Sequence, residues 1–204
     1  PTWIFDLLTM QMRKLIKPLV FVLALLPFSV LVLRILQNNL GPDPVQELSL
    51  ETGEWTLRFL ILALAMTPLR RITNQIEFTR HRRMIGLFAL FYATTHLLVW
   101  LMFVLEFRWF AIAEEILERP YITVGFIAYL ILLALGITSP KFMVRKLGNN
   151  WKRLHKLVYV AAILGVLHLL WILRLDIGPA VFYGSLVALL LGYRAWFSLR
   201  ARRS

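Results

Sequence analysis

Residues 150–174 read NWKRLHKLVYVAAILGVLHLLWILR, and few folds can absorb such a stretch. It opens on a basic, Trp-bearing foot (Trp151, Lys152, Arg153, Lys156), turns apolar and closes at Arg174. A helix of that length and character belongs in a bilayer, where ionisable side chains are costly and mark function by default. Two histidines, His155 and His168, sit in it, and a third, His96, lies inside another long apolar run. Histidines buried on different membrane helices point to a metal cofactor.

Composition removes most alternatives. Of the 204 residues 59% are apolar and 17% charged, against about 45–50% and 25% in soluble domains. With no cysteine, thiolate metal sites, iron–sulfur clusters and disulfides are excluded, and histidine is left as the strong nitrogen ligand. The net charge of +12 is not read as nucleic-acid binding, because the charges lie between the apolar runs rather than along one face.

Six apolar runs predict an all-α integral membrane protein, a six-transmembrane helix bundle forming a single domain over residues 1–204. The runs are 15–36, 55–69, 84–105, 120–140, 150–174 and 177–197. About 20 residues cross a core of about 30 Å, so five fit easily and the second barely. The first run is long and lacks a small-residue cleavage site, so it is read as a span and not a signal peptide. Arg58, one turn inside the second run, is placed to snorkel. Of the 23 Lys and Arg, 18 fall on one side: before or at the start of the first run, after the second, between the fourth and fifth or in the basic foot of the fifth, and at the end of the sixth or after it. Arg13, Lys14, Arg202 and Arg203 are among them. The acidic residues collect in the opposite loops, so both termini are expected to be cytoplasmic. The Arg80–Arg83 cluster suits lipid phosphates. Residues 37–54 are read as an outer connector stiffened by Pro42 and Pro44, whose acidic residues either dock a partner or are simply solvated. No internal repeat is evident.

Depth sorts the histidines. His96 lies thirteen residues past Arg83, about 20 Å of helix, and His168 twelve past Lys156, about 18 Å. The two share a level on antiparallel helices, as a porphyrin gripped by an imidazole on each iron face requires. A continuous helix puts His155 about 140° round from His168, so it serves another site or is an interfacial side chain. Gly165, three residues before His168, either makes room for a flat ring or packs against a helix. Thr94 and Thr95 are candidates to bond His96, or bond their own helix backbone. His81 is read as a solvated residue of a basic loop.

LGPDPV and ETG, MTPLRR, RRMIGLF leading to YATTHLLVW, RPYITVG, and RKLGNNWKRLHKLVYVAAILGVLH together resemble the MsrQ (YedZ) family over nearly the whole chain. These are heme-binding membrane subunits within the ferric-reductase-like group. The resemblance implies a heme b site on His96, His155 and His168. It implies electron delivery from the quinone pool to a periplasmic molybdopterin-containing methionine sulfoxide reductase, from a multi-pass position in the bacterial inner membrane. The family is also described with FMN, which no residue here places. Without a Gly-rich dinucleotide loop, the donor is expected to be a membrane quinol or a separate cytosolic flavin reductase. Two other readings stay open: a stand-alone ferric or quinone reductase, and a proton-coupled transporter using the histidines.

Overall fold

The computed structural model describes residues 2–203, with side chains from residue 15 to residue 201. The side chains of Arg13, Lys14, Arg202 and Arg203 lie outside the described residues. Nine α-helices and one π-helical turn make up the described elements, with no strand among them. The helices are α1 (Thr2–Leu36), α2 (Pro44–Thr73), α3 (Glu77–Val99), α4 (Ala111–Glu118), α5 (Pro120–Ile137), α6 (Lys141–Leu147), α7 (Asn149–Leu154), α8 (Leu157–Ile172) and α9 (Gly178–Arg203). The chain divides into two units, Pro1–Glu47 and Leu48–Ser204.

In the first unit, α1 runs through Pro18 and Pro27 without ending. The turn after it uses left-handed backbone at Asn38 and Gly41, residue types that tolerate it. Arg34 bonds the Asn39 carbonyl and pairs with Glu47 at 3.0 Å. The Asp43 carboxylate accepts from the Gln46 N–H at 3.0 Å, and Pro44 opens the helix, the usual start for a side-chain cap followed by proline. The expected connector over residues 37–54 is therefore a short turn followed by three turns of α2. Pro44 does not stiffen a loop here; its fixed φ starts a helix.

The second unit is built around α2. Leu57, Phe59, Leu60, Ala63, Leu64 and Met66 are buried there. Phe59 stacks on Tyr92 at 5.1 Å and on Phe88 at 5.6 Å, so aromatic rings separate α2 from α3. Among the described elements α5 and α8 make the most extensive helix contact, and the small residues Ala128 of α5 and Ala161 and Ala162 of α8 are buried. A Cβ on Gly165 would stand 2.9 Å from Leu57 Cδ2, which settles that glycine as a helix contact between α8 and α2. α9 closes the unit: Leu57, Leu169, Ala180 and Tyr183 form one buried cluster.

Five helical stretches are long and apolar enough to cross a membrane: Leu15–Leu36, Glu77–Val104, Pro120–Ile137, Asn149–Ile172 and Gly178–Ala201. Large apolar side chains such as Leu98, Ile127, Val160 and Leu189 stand on their outsides, the inverse of a water-soluble surface. α2 is not among the five. Its apolar run is short and carries Arg58, but a helix wrapped by others need not be apolar all round. Arg58 does not snorkel. Its guanidinium pairs with Glu54, bonds the Tyr183 hydroxyl at 2.9 Å and lies over Trp55.

Two expected spans depart from regular helix. α3 passes into a π-helical turn over Trp100–Val104 and ends in left-handed backbone at Glu106 and Phe107. The stretch 150–174 is broken at His155, which closes α7 before Lys156 starts α8. Leu64→Ala, at a fully buried α2 position, is expected to cost about 2–5 kcal/mol. Exposed Leu189→Ala should stay within about 0.5 kcal/mol. Denaturant unfolding in micelles checks both.

Candidate metal centre

His96 of α3 and His168 of α8 face each other with ring centres 6.0 Å apart and planes at 83°. Each is held by a backbone carbonyl. His96 Nδ1 lies 3.0 Å from the Ser49 carbonyl oxygen and 3.2 Å from Thr52 Oγ1. His168 Nδ1 lies 2.6 Å from the Tyr121 carbonyl oxygen. A carbonyl only accepts, so Nδ1 carries the proton in both rings and the Nε2 lone pair is free. The Thr52 hydroxyl donates to the Leu48 carbonyl at 2.6 Å, which leaves its oxygen to accept from His96. Metal-bound histidines are held in this way, with the far nitrogen donating to a fixed acceptor.

Glycine makes both contacts possible. Ser49 and Gly53 lie one turn apart on α2, Tyr121 and Gly125 one turn apart on α5, so each glycine stands beside the carbonyl in question. A Cβ on Gly125 would meet His168 Cε1 and Nδ1 at 2.7 Å, and one on Gly53 would meet His96 Cε1 at 3.3 Å. The bare backbone lets the imidazole reach a carbonyl already engaged in its helix.

The two halves repeat. Ser49, Gly53 and His96 become Tyr121, Gly125 and His168 by adding 72 to each number. The same shift maps buried Leu60 onto Leu132, Ala63 onto Leu135 and Ala89 onto Ala161, and the His-Leu-Leu of α3 onto that of α8. The same spacing of carbonyl, glycine and histidine thus recurs in α2 with α3 and in α5 with α8, each pair giving one histidine. The sequence reading found no repeat, because the bonded groups are backbone carbonyls under unlike side chains.

Size and chemistry fit an iron porphyrin. With metal–nitrogen bonds of about 2 Å and about 1.1 Å from nitrogen to ring centre, two imidazoles on one metal stand about 6 Å apart. Neither Nε2 carries a hydrogen bond, and neither is sealed off as His81 Nε2 is. Among the described residues no group of three or more His, Asp or Glu is placed to hold an ion. The remaining ligands would be the nitrogens of the ring itself.

His155 stands apart from this pair. Its ring stacks on Trp151 at 3.9 Å, and Nδ1 lies 3.2 Å from the Trp151 carbonyl oxygen. Trp151 in turn donates Nε1–H to the Thr138 carbonyl at 3.0 Å. His81 corrects the expectation of a solvated loop residue: it is buried in α3, its Nε2 unbonded and 3.8 Å from Glu77 Oε2. Thr94 and Thr95 bond the Leu90 and Phe91 carbonyls of their own helix. The partners of His96 that the sequence reading missed are Ser49, Thr52 and Gly53. Their signal lay in the ETG motif, a glycine inside an apolar-flanked helix.

The chain matches the family described as "Ferric reductase like transmembrane component" over residues 52–166. It is 47% identical over 194 residues to the protein-methionine-sulfoxide reductase heme-binding subunit MsrQ of Xanthomonas oryzae pv. oryzae, covering 92% of this chain and 89% of that protein. It is 49% identical over 167 residues to the MsrQ of Xanthomonas campestris pv. campestris, covering 82% and 77%. It is 43% identical over 191 residues to that of Herminiimonas arsenicoxydans, covering 92% and 88%. Gly125→Ala is expected to push the His168 ring off its carbonyl and lower heme affinity about 10–100-fold. Gly192→Ala, whose Cβ meets nothing within 4 Å, should leave it unchanged; titration with hemin followed by absorbance distinguishes the two.

Proposed function

The chain belongs to the MsrQ family of ferric-reductase-like membrane proteins, and on that footing we propose that it is the heme-carrying electron-transfer subunit of a protein-methionine-sulfoxide reductase. The observation that carries the reading is the facing pair His96 and His168, each with Nδ1 on a backbone carbonyl. A heme b bound there supplies one-electron redox chemistry. The chain's own residues do the rest. His96 and His168 present lone pairs from opposite sides, and the Ser49, Thr52 and Tyr121 oxygens fix the tautomer and raise imidazole basicity. The apolar surface of α3, α5 and α8 keeps water from the rings. His155 takes no part in that pair; the role the resemblance implies for it belongs to a separate site nearer the basic end.

In this reading six helices span the bacterial inner membrane, α2 among them, with both termini cytoplasmic. The excess of Lys and Arg at one end supports that orientation. Electrons enter at the basic end from a quinol or a separate cytosolic flavin reductase. They leave at the acidic end toward a periplasmic molybdopterin-containing catalytic subunit. His96 supports this exit, since only eight residues, about 12 Å of helix, separate it from the end of the π-helical turn.

Purified protein is expected to show a reducible heme spectrum. His96→Ala and His168→Ala should each abolish the same bis-imidazole signal, and His155→Ala should leave it; full heme in both of the first two variants would end the assignment. Thr52→Val removes one acceptor from His96 Nδ1–H and so weakens its hold on oxidised iron. A hydrogen bond worth about 0.5–1.5 kcal/mol then raises the midpoint potential by about 20–60 mV, read by redox titration. The match over residues 52–166 to a ferric-reductase-like family also suits a stand-alone ferric reductase. Reduction of soluble ferric chelates without any partner protein would favour that reading.

A further inference from the structure

We propose that Arg82 and Arg194, with Tyr159, form a binding site for a phosphate oxyanion at the basic end of the second unit. Four helices meet there. Arg194 of α9 donates to the Tyr159 hydroxyl of α8 and to the Leu64 carbonyl of α2, both at 2.8 Å. Its Nε–H is buried with no acceptor. Arg82 of α3 interacts electrostatically with Arg194 and Tyr159. It makes no hydrogen bond and no ion pair with any described residue.

Two half-buried guanidiniums that repel each other, with no carboxylate among the described groups acting on Arg82, are a charge arrangement that needs an anion. The donors left over are the whole fork of Arg82 and the Nε–H of Arg194. Planar forks of this kind bind tetrahedral oxyanions through paired hydrogen bonds. A carbonyl or a hydroxyl would satisfy donors but leave the charge unmatched.

Depth identifies the source. Arg82 lies fourteen residues before His96 on α3 and Tyr159 nine before His168 on α8, about 21 Å and 14 Å of helix towards the basic end. That is the level of phospholipid headgroups, and basic pockets between membrane helices at this surface take anionic headgroups. The site does not use the histidine pair. Only its assignment to the cytoplasmic leaflet rests on the orientation proposed above.

The test uses full-length protein stripped of lipid by detergent exchange. It is titrated with a short-chain phosphatidylglycerol, with inorganic phosphate and with the phosphate-free diacylglycerol. Thermal unfolding and native mass spectrometry are the readouts. One phosphatidylglycerol should bind and raise the unfolding temperature, and diacylglycerol should do neither. Saturation by inorganic phosphate as well would make free phosphate the ligand of the same site. Arg82→Gln should weaken binding about 10–100-fold and raise the unfolding temperature of the unliganded protein, because it removes one of two like charges and breaks no internal bond. Exposed Arg145→Gln is the control and should change neither. Equal binding of diacylglycerol, or unchanged affinity in Arg82→Gln, would overturn the proposal. The bis-imidazole signal assigned to His96 and His168, followed in the same samples, reports on the histidine pair, so either reading can fail without the other.

Discussion

A backbone carbonyl inside a helix has one lone pair engaged and one to spare, and both histidine rings depend on that spare lone pair. In hydrocarbon there is no water to satisfy an imidazole N–H, so the proton must find an acceptor on a neighbouring helix. Ser49 and Tyr121 provide it with main-chain oxygen. Once Nδ1 is committed, the tautomer, the direction of Nε2 and the spacing of the two rings all follow. A helix presents its carbonyl only where no Cβ stands in front of it, and glycine one turn further on meets that condition twice.

The repeat gives this a structural reason. Helix pairs related by a 72-residue shift run in the same sense, so the operation between them is a rotation about an axis along the helices. A ligand with two like faces suits a site on such an axis, and each pair need solve the problem of holding an imidazole only once. The copies have diverged in how they pack. α2 and α3 are separated by the rings of Trp55, Phe59, Phe88 and Tyr92, whereas α5 and α8 bury the small residues Ala128, Ala161 and Ala162. The aromatic half also carries the charges. Glu54, the residue after Gly53, forms a closed set of hydrogen bonds with Arg58 and Tyr183. Glu54 neutralises Arg58, so neither charge on α2 stands alone.

The sequence made some of this legible and hid the rest for physical reasons. Five spans are apparent because lipid-facing residues must be apolar in unbroken runs. The pairing of His96 with His168 follows from counting residues to the basic edge, since helical rise converts number into depth. α2 was harder, because a helix that neighbours shield from lipid loses the hydropathy signal that exposure enforces. Its first three turns looked like a connector, although Asp43-Pro44 is a start signal that outweighs the acidic composition after it. The His155 break was illegible: the residues on either side keep the basic and apolar pattern of one helix, and only the Trp151 stack and the carbonyls around the ring show where it stops.

His81 and Arg82 show what a charge run conceals. Residues 80–83 read as one basic cluster, yet on α3 successive side chains lie about 100° apart. Arg83 points out, His81 is buried and Arg82 lies between. Composition counts three solvated cations and a histidine at a membrane edge, while helix geometry turns two of these groups inward to meet other helices. The same concentration of basic residues therefore also places guanidinium donors inside the bundle. A chain that concentrates arginine at one end of a helix bundle must either hold every guanidinium in water or provide an anion. Among the described residues, Arg82 and Arg194 are the positions where the chain has done neither.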